Sequence, residues 1–439
     1  MDTGDTAWVL ASAALVLLMT PGLAFFYGGM VRSKSVLNMM MMSFSSLAIV
    51  TVLWVLYGYS EAFSDDAGGG LIGKPFEAFG LKGLIGSGTD HLAGTVPVLA
   101  FAAFQLVFAI ITVALISGAI ADRAKFSTWC VFSVLWATIV YFPVAHWVFA
   151  FDGFTGEHGG WIANKLKAID FAGGTAVHIN AGAAGLALAL VLGPRIGFKK
   201  EPMRPHNLTL VMLGAGLLWF GWFGFNAGSA LGANNTAAVV WINTVAATAA
   251  ACIGWLLTEK FRDGHATSLG AASGVVAGLV AITPACSSVN PVGALILGFL
   301  AGGLCAVAIG LKYKLGYDDS LDVVGVHLVG GLFGTIAIGF LATADAPAGV
   351  DGLFWGGGFD QLWRQVVGAF AVLAFSFIVT YIIGFALHKT MGFRVTEEEE
   401  IEGIDFAEHA ETAYDLVTGG SSGTFRPTHT AVKTEEVPA

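Results

Sequence analysis

The chain has 439 residues, of which 56% are hydrophobic and only 12% charged, whereas an ordinary soluble domain carries roughly 25% charged residues. That balance excludes a water-soluble enzyme or a nucleic-acid binder and makes the bilayer the solvent. The formal charge of -10 does not mark a basic partner, because much of the acid is gathered between Glu397 and Asp415.

Apolar runs recur from Trp8 to Leu387 with no polar linker long enough to separate folding units. The fold class is therefore an all-α polytopic membrane protein, with a transmembrane domain over 1-390 and a tail over 391-439. The first run starts at Trp8 behind Asp2 and Asp5, without a basic n-region or a small-residue cleavage site, and is expected to remain as a span. A span needs about 20 mostly apolar residues to cross about 30 Å of hydrocarbon. On that measure eleven transmembrane helices are predicted, over 6-28, 36-60, 94-121, 128-150, 171-193, 208-230, 235-257, 269-285, 291-311, 322-343 and 364-388. The eighth is short and contains Ser273 and Gly278.

Placing the N-terminus outside leaves only Lys74, Lys82, Lys165, Lys167 and Arg364, of the 21 Lys and Arg, on the outer side. Every inner loop then carries at least two positive residues, so charge bias favours N-out, C-in, which an odd span count permits. The 59 glycines and runs such as Gly298-Phe-Leu-Ala-Gly302-Gly303 imply close helix packing through small residues. Cys130, Cys252, Cys286 and Cys305 lie in or beside apolar stretches without CxxC spacing, and are expected to be buried free thiols. Nothing in the sequence calls for a metal or a cofactor.

Two stretches resemble each other, Asp170-Phe-Ala-Gly-Gly-Thr-Ala-Val-His178-Ile-Asn-Ala-Gly182-Ala-Ala-Gly185 and Asp319-Ser-Leu-Asp322-Val-Val-Gly-Val-His327-Leu-Val-Gly-Gly331-Leu-Phe-Gly334. Each has an Asp eight residues before the His of a Val-His pair, then Gly four and seven residues after it. They fall on the fifth and tenth spans, corresponding places in an inverted five-plus-five repeat, which is a transporter signature. At 1.5 Å per residue His178 lies about 12 Å along its helix from one face, and His327 about as deep from the other. Both imidazoles then reach the midplane, where ionisable groups are costly and mark substrate or proton paths. A single such His is as readily a hydrogen-bonded packing residue; a symmetry-related pair favours function. Asp170 and Asp322 are expected to open their helices as caps on backbone N-H groups, with Asp170 also holding a fixed negative charge near the outer approach.

The stretch from Asp170 to Gly185 closely resembles the signature of the Amt/Rh ammonium transporters. Gly22-Leu-Ala-Phe-Phe-Tyr-Gly-Gly-Met-Val-Arg-Ser-Lys34, Gly221-Trp-Phe-Gly-Phe-Asn-Ala-Gly-Ser229, Thr283-Pro-Ala-Cys286 and Asp322-Val-Val-Gly-Val-His327 resemble further motifs in the family's order. The resemblance covers nearly the whole chain, is closest to the bacterial Amt branch, and implies a homotrimer of eleven-span subunits in the cell membrane, each with its own pore. By motif it implies that His178 and His327 are paired pore histidines and that Phe108 and Phe225 form a stacked gate. Phe104, Phe149 and Ser229 would be the outer site that recruits ammonium. The sequence departs from the pattern in Ala145-His146-Trp147-Val148-Phe149, which puts Phe where the family commonly has Trp; Trp161, in the loop that follows, is a candidate to compensate.

The function implied is transport of ammonium or ammonia, with methylammonium as an analogue. The alternative is an ammonium sensor signalling through the tail. An intramembrane enzyme is disfavoured, because HExxH is missing and no third ligand or nucleophile repeats near the histidines. In the tail, Ile401, Ile404, Phe406 and Ala407 punctuate the acids. Residues to about Tyr414 are therefore expected to dock on inner loops rich in Arg195, Lys199, Lys200 and Arg204, with those from Gly419 onward mobile. The tail also resembles that of bacterial Amt proteins, which implies control by a P_II signal protein.

Overall fold

The computed structural model describes residues 1-85 and 92-414. Ten helices among them are long and apolar enough to cross a membrane, and one further apolar helix, Ser268–Ile282, is shorter. In chain order they are α1 (Thr3–Met30), α2 (Val36–Phe63), α3 (Val98–Ile120), α4 (Phe126–Phe149), α5 (Gly174–Leu192), α6 (Leu208–Gly228), α7 (Asn235–Asp263), α8 (Ser268–Ile282), α9 (Pro291–Leu315), α10 (Val324–Leu341) and α11 (Asp360–Thr390). The short eighth span of the sequence reading is α8. Among the described residues strand is confined to the antiparallel pair Leu92–Ala93 and Val96–Pro97, just before α3.

Local chemistry sets the helix starts. Asn207, Asn234, Thr267 and Asn290 each accept a backbone N-H of the first turn of α6, α7, α8 and α9, and Pro291 supplies a first position that needs no donor. Small residues then let the helices close on one another. A Cβ on Gly298 or Gly302 would stand 2.0 Å from the carbonyl oxygen of Ala247 or Ala251, so α9 lies directly on the backbone of α7. Of the four cysteines, Cys286 and Cys305 are buried as expected, while Cys130 and Cys252 are only half-buried; all four are free thiols.

The ends of the bundle are called outer and inner after the charge bias. At the inner end the loops are tied by buried ions. The Arg195 guanidinium holds Asp318 through two bonds of 2.8 and 2.9 Å and reaches Asp122 at 3.2 Å. Arg123 donates to Ser320 Oγ and to the Asp318 carbonyl, each at 2.6 Å. Burial alone would raise the Asp318 pKa, but the bonds from Arg195 and the charge of Arg123 bring it down to about 2.

The tail folds against this end as α12 (Glu397–Glu402) and α13 (Ile404–His409), the first opened by a capping box of Thr396 and Glu399. The expected docking to Tyr414 is present, and the loop that carries Arg195, Lys199, Lys200 and Arg204 takes part through Ile196 N and His206, while none of those four basic side chains pairs with the tail among the described residues. Glu400 accepts from Ile196 N at 2.8 Å and from Arg394 at 2.8 Å. Asp405 accepts from Leu37 N and Asn38 N, Glu408 from Phe126 N, and Tyr414 meets His206 at 2.9 Å. Arg195 is engaged by Asp318 and Asp122, and no ion pair to the tail involves Lys199, Lys200 or Arg204 among the described residues. Backbone N-H groups at the ends of the inner loops, rather than lysine side chains, receive the acids. Arg426, Lys433 and the segment from Gly419 lie outside the described residues.

Candidate functional site

Each motif histidine sits on a widened, π-helical turn, Gly174–Ile179 at the start of α5 and Val324–Leu328 at the start of α10. Such turns cluster at functional sites because the extra residue re-aims side chains. Asp170 fixes the first turn: its Oδ1 accepts from Gly173 N and Gly174 N at 2.9 and 2.7 Å, and its Oδ2 from Thr175 N and Ala176 N at 2.8 and 3.0 Å. The second turn is capped by Asp319, which accepts from Val323 N and Val324 N at 3.0 and 2.7 Å. Here the structure corrects the expectation for Asp322, which does not cap α10 but pairs with the buried ammonium of Lys312 at 2.6 Å.

The repeated glycines explain how the two turns meet. Gly182, four residues after His178, lies where a Cβ would be 2.5 Å from Leu328 N, and a Cβ on the equivalent Gly331 would stand 3.0 Å from Gly174 O and 3.1 Å from His178 Cβ. Each half thus removes a side chain where the other half's histidine turn passes. The imidazoles come together with Nδ1 to Nδ1 at 3.2 Å and planes 19° apart. A bond between these two atoms requires one ring to donate and the other to accept. The rings are then opposite tautomers, and one exposes an accepting Nε2, the other a donating one.

Rings continue from this pair toward the outer end. His178 faces Phe225 at 6.1 Å, Phe225 stacks on Phe108 at 4.1 Å and 23°, and Phe108 meets Phe104 at 4.9 Å. Trp222 stacks on the flank of His178 at 5.4 Å, and its indole donates to Thr283 Oγ1 at 2.8 Å. Beside the two histidines a void of about 10 Å³ is lined by Leu115, Val177, Trp222, Phe225 and Val276, close to the smallest space that admits one water-sized molecule.

Beyond Phe108 the channel opens into a chamber of about 200 Å³ whose walls include Phe101, Phe104, Gln105, Phe108, Phe149 and Ser229. A larger outer cavity of about 660 Å³ shares Phe149, Phe171 and Ser229 with it and adds Asp170. Ser229 Oγ donates to the Phe225 carbonyl at 2.8 Å, which commits its proton and leaves oxygen lone pairs to accept.

Comparison with known proteins places this arrangement. Residues 7–414 match the sequence model of the Ammonium Transporter Family. The chain belongs to the ammonium transporter family. An ammonium transporter of Mycobacterium tuberculosis is 64% identical over 96% of this chain and 92% of its own length, and one of Bacillus subtilis is 48% identical over 94% and 99%. A solved structure described as a Sensor Amt Protein aligns with a TM-score of 0.84 at 30% identity, covering 92% of this chain and 98% of that one.

In this multi-pass transporter Phe104, Phe108, Phe149 and Ser229 line the chamber, Phe225, His178 and His327 line the small void, and Asp170 lines the larger outer cavity. Trp161 is elsewhere. It packs on Trp147 at 5.8 Å and is not among the residues lining the chamber or the outer cavity, so it does not stand in for a Trp at position 149. Sequence reasoning missed Trp222, Thr283 and the aromatic wall of Phe101, Phe154 and Phe171. Trp222 and Thr283 stand inside quoted motifs, and their contact needs α6 and α8 side by side. Phe154 and Phe171 are on loops, where no periodicity marks them. The Asp-to-His spacing of eight singles out Asp319 as the counterpart of Asp170, and that signal was there to be used.

Proposed function

We propose that this chain is an ammonium-conducting subunit that captures the ammonium ion in the aromatic chamber and passes its nitrogen, as ammonia, between His178 and His327. The reading includes eleven spans with N-out, C-in topology, an inverted five-plus-five repeat over 1-390, a cytoplasmic tail over 391-439, assembly as a homotrimer in the bacterial plasma membrane, and a P_II signal protein as the tail's partner. The single observation that carries it is the histidine pair with Nδ1 to Nδ1 at 3.2 Å, set apart from the chamber by a stacked phenyl pair.

The chemistry follows from cost. A cation at the bilayer centre is penalised by at least about 2.5 kcal/mol on any scale, so a merely apolar pore rejects ammonium. In the chamber, phenyl faces each return roughly 0.5-2 kcal/mol as cation-π partners, and Ser229 offers lone pairs to an N-H. Asp170 keeps its charge at the outer approach while its oxygens are held by the backbone. Past Phe108 and Phe225 the void has room for one small molecule and disfavours charge, so the neutral form is the one that fits. There the accepting Nε2 of one ring and the donating Nε2 of the other are matched to ammonia, which both donates and accepts.

The test is uptake of labelled methylammonium by H178A/H327A in purified, oligomer-checked form. Loss of ammonium-selective uptake is expected; undiminished selective uptake overturns the assignment. Current recorded with purified protein in a supported bilayer then decides whether the proton crosses with the nitrogen. The sensor reading is kept for one observation: the tail docks on loops that continue directly into pore helices, in a chain similar to a protein described as a sensor. Uptake by the purified chain separates the two.

A further inference from the structure

The turn that carries His327 has a less complete cap than the turn that carries His178, and a lysine makes up the difference. Asp170 closes four backbone N-H groups by itself, whereas Asp319 closes only Val323 N and Val324 N. The rest of the inner support comes from Lys312, near the end of α9. Its ammonium donates to the Asp319 carbonyl at 2.9 Å and to Asp322 Oδ1 at 2.6 Å. Lys312 and Asp319 are buried while Lys314, two residues on from the lysine, is exposed; a buried ammonium is retained only where it is paired and bonded. Asp322 holds φ at 64°, a left-handed backbone that non-glycine residues adopt rarely and at a cost. From that backbone its carbonyl accepts Val326 N at 2.9 Å, inside the widened turn Val324–Leu328 that contains His327. One ammonium therefore ties the cap of the turn to the residue that starts it.

We propose that Lys312 is a positioning residue for His327: by bridging Asp319 and Asp322 it holds the widened turn that aims the inner imidazole, and so sets the maximal rate of conduction without touching the substrate. This rests on the reading that the nitrogen passes between His178 and His327. The bland alternative is an ion pair that only fastens α9 to the loop before α10. Charge separates the two. Burial raises the Asp319 carboxyl to about 6, while the Lys312 ammonium draws it down and the Asp322 charge adds to the rise. Asp319 also faces Tyr27 of α1 and Tyr317 on its own loop, whereas Arg123 and Arg195 are turned to Asp318. A cap carboxylate that takes up a proton is a weaker acceptor for Val323 N and Val324 N. Removing the lysine charge therefore raises the pH at which the cap weakens, and removing the Asp322 charge lowers it. A mere fastener shifts neither.

The experiment measures methylammonium uptake by K312M, D322N and the parent in proteoliposomes, with equal pH on both faces taken from about 8 down to about 6, and with H178A/H327A alongside. At neutral pH K312M is expected to lower the maximal rate about tenfold, as a displaced imidazole would, and to leave the apparent KM unchanged, because capture lies at the outer end. Its rate relative to the parent is expected to fall further as the pH is lowered. D322N keeps a residue type that accepts the left-handed backbone, and its rate relative to the parent is expected to rise as the pH is lowered. It carries the test where K312M does not assemble. With H178A/H327A inactive, rates in constant ratio to the parent at every pH, a raised KM in K312M, or parental rates in both variants overturn the proposal and leave the pore standing. Selective uptake retained by H178A/H327A overturns the pore reading itself.

Discussion

The two histidine turns were built to one pattern and finished differently. Asp170 spends both carboxylate oxygens on four backbone N-H groups, and the larger outer cavity opens beside it with no side-chain cation paired to it among the described residues. Asp319 caps only two, while its carbonyl accepts from Lys312, whose ammonium also neutralises Asp322. The common part, a capped wide turn with a glycine four residues after the histidine, sets where the imidazoles lie. The parts that differ face opposite ends, a carboxylate held by backbone N-H groups toward the outside and a closed ion pair toward the inside. On the proposed reading the pore is symmetric in what it holds and asymmetric in what each mouth presents.

Substitution at the caps tests that asymmetry most strongly. In Asp170→Asn one carboxylate oxygen becomes an amide NH₂ turned toward two backbone N-H groups. Leaving both unpaired costs about 2-6 kcal/mol at 1-3 per donor, enough to lower uptake at least thirtyfold. Asp319→Asn strands one donor and should cost about half of that free energy. Equal losses, measured as initial uptake rates at matched protein, would mean that the two mouths do not differ as described. Next in size, Gly182→Ala and Gly331→Ala push methyl groups into the facing turn. The first meets Leu328 N at 2.5 Å and the second nothing nearer than 3.0 Å. Overpacking costs about 1-3 kcal/mol, so Gly182→Ala should reduce uptake about tenfold and Gly331→Ala less; the reverse order would show that the closeness of the pair is set elsewhere.

How much of this the sequence carried depends on the distance over which each signal acts. Eleven apolar helices and their approximate limits were legible because hydropathy is a local property, and His178 and His327 because a repeat brings its own control. The pairing of Phe104, Phe108, Phe149, Phe225 and Ser229 came from resemblance; their spacing alone does not bring α3, α4 and α6 together. Asp322 misled because it stands immediately before α10 and reads as a cap, while a backbone at φ 64° turns it away toward Lys312. The widened turns leave no mark in composition, since a π-helical turn differs from an α turn by one residue of register and not by residue type.

At the outer mouth the comparison is sharpened by Phe149, which faces the chamber where a larger ring would be the stronger cation-π partner. Phe149→Trp is expected to raise apparent affinity for ammonium by up to about tenfold, the equivalent of about 1 kcal/mol. Competition against methylammonium uptake reads this directly. No change with the fold intact would shift recruitment onto Phe104 and the Ser229 hydroxyl.

The smallest effect on transport is expected at the inner end, where the tail is held by several exchangeable contacts rather than by one. Glu400 is 1% exposed and satisfies Ile196 N, at the start of the loop between α5 and α6, with one oxygen and Arg394 with the other. Asp405 does the same for Leu37 N and Asn38 N at the start of α2. These are charge-assisted bonds to groups that water reaches when the tail leaves, so each is worth about 1.5-3 kcal/mol at most. Glu400→Gln keeps one acceptor and should undock α12 only part of the time. The expected result is faster amide exchange in Glu397–His409, with uptake reduced by a few-fold or less. Truncation before Glu397 removes all of these contacts and should impair uptake or its control more than Glu400→Gln does, and should abolish pull-down of a P_II protein, while truncation after Gly419 does neither. If both truncations transport and bind P_II like the full chain, the acids of the tail serve only to keep it folded under the bundle. The asymmetry between the two mouths would then stop at Lys312, because the contacts that join the tail to the loops would carry nothing to the pore.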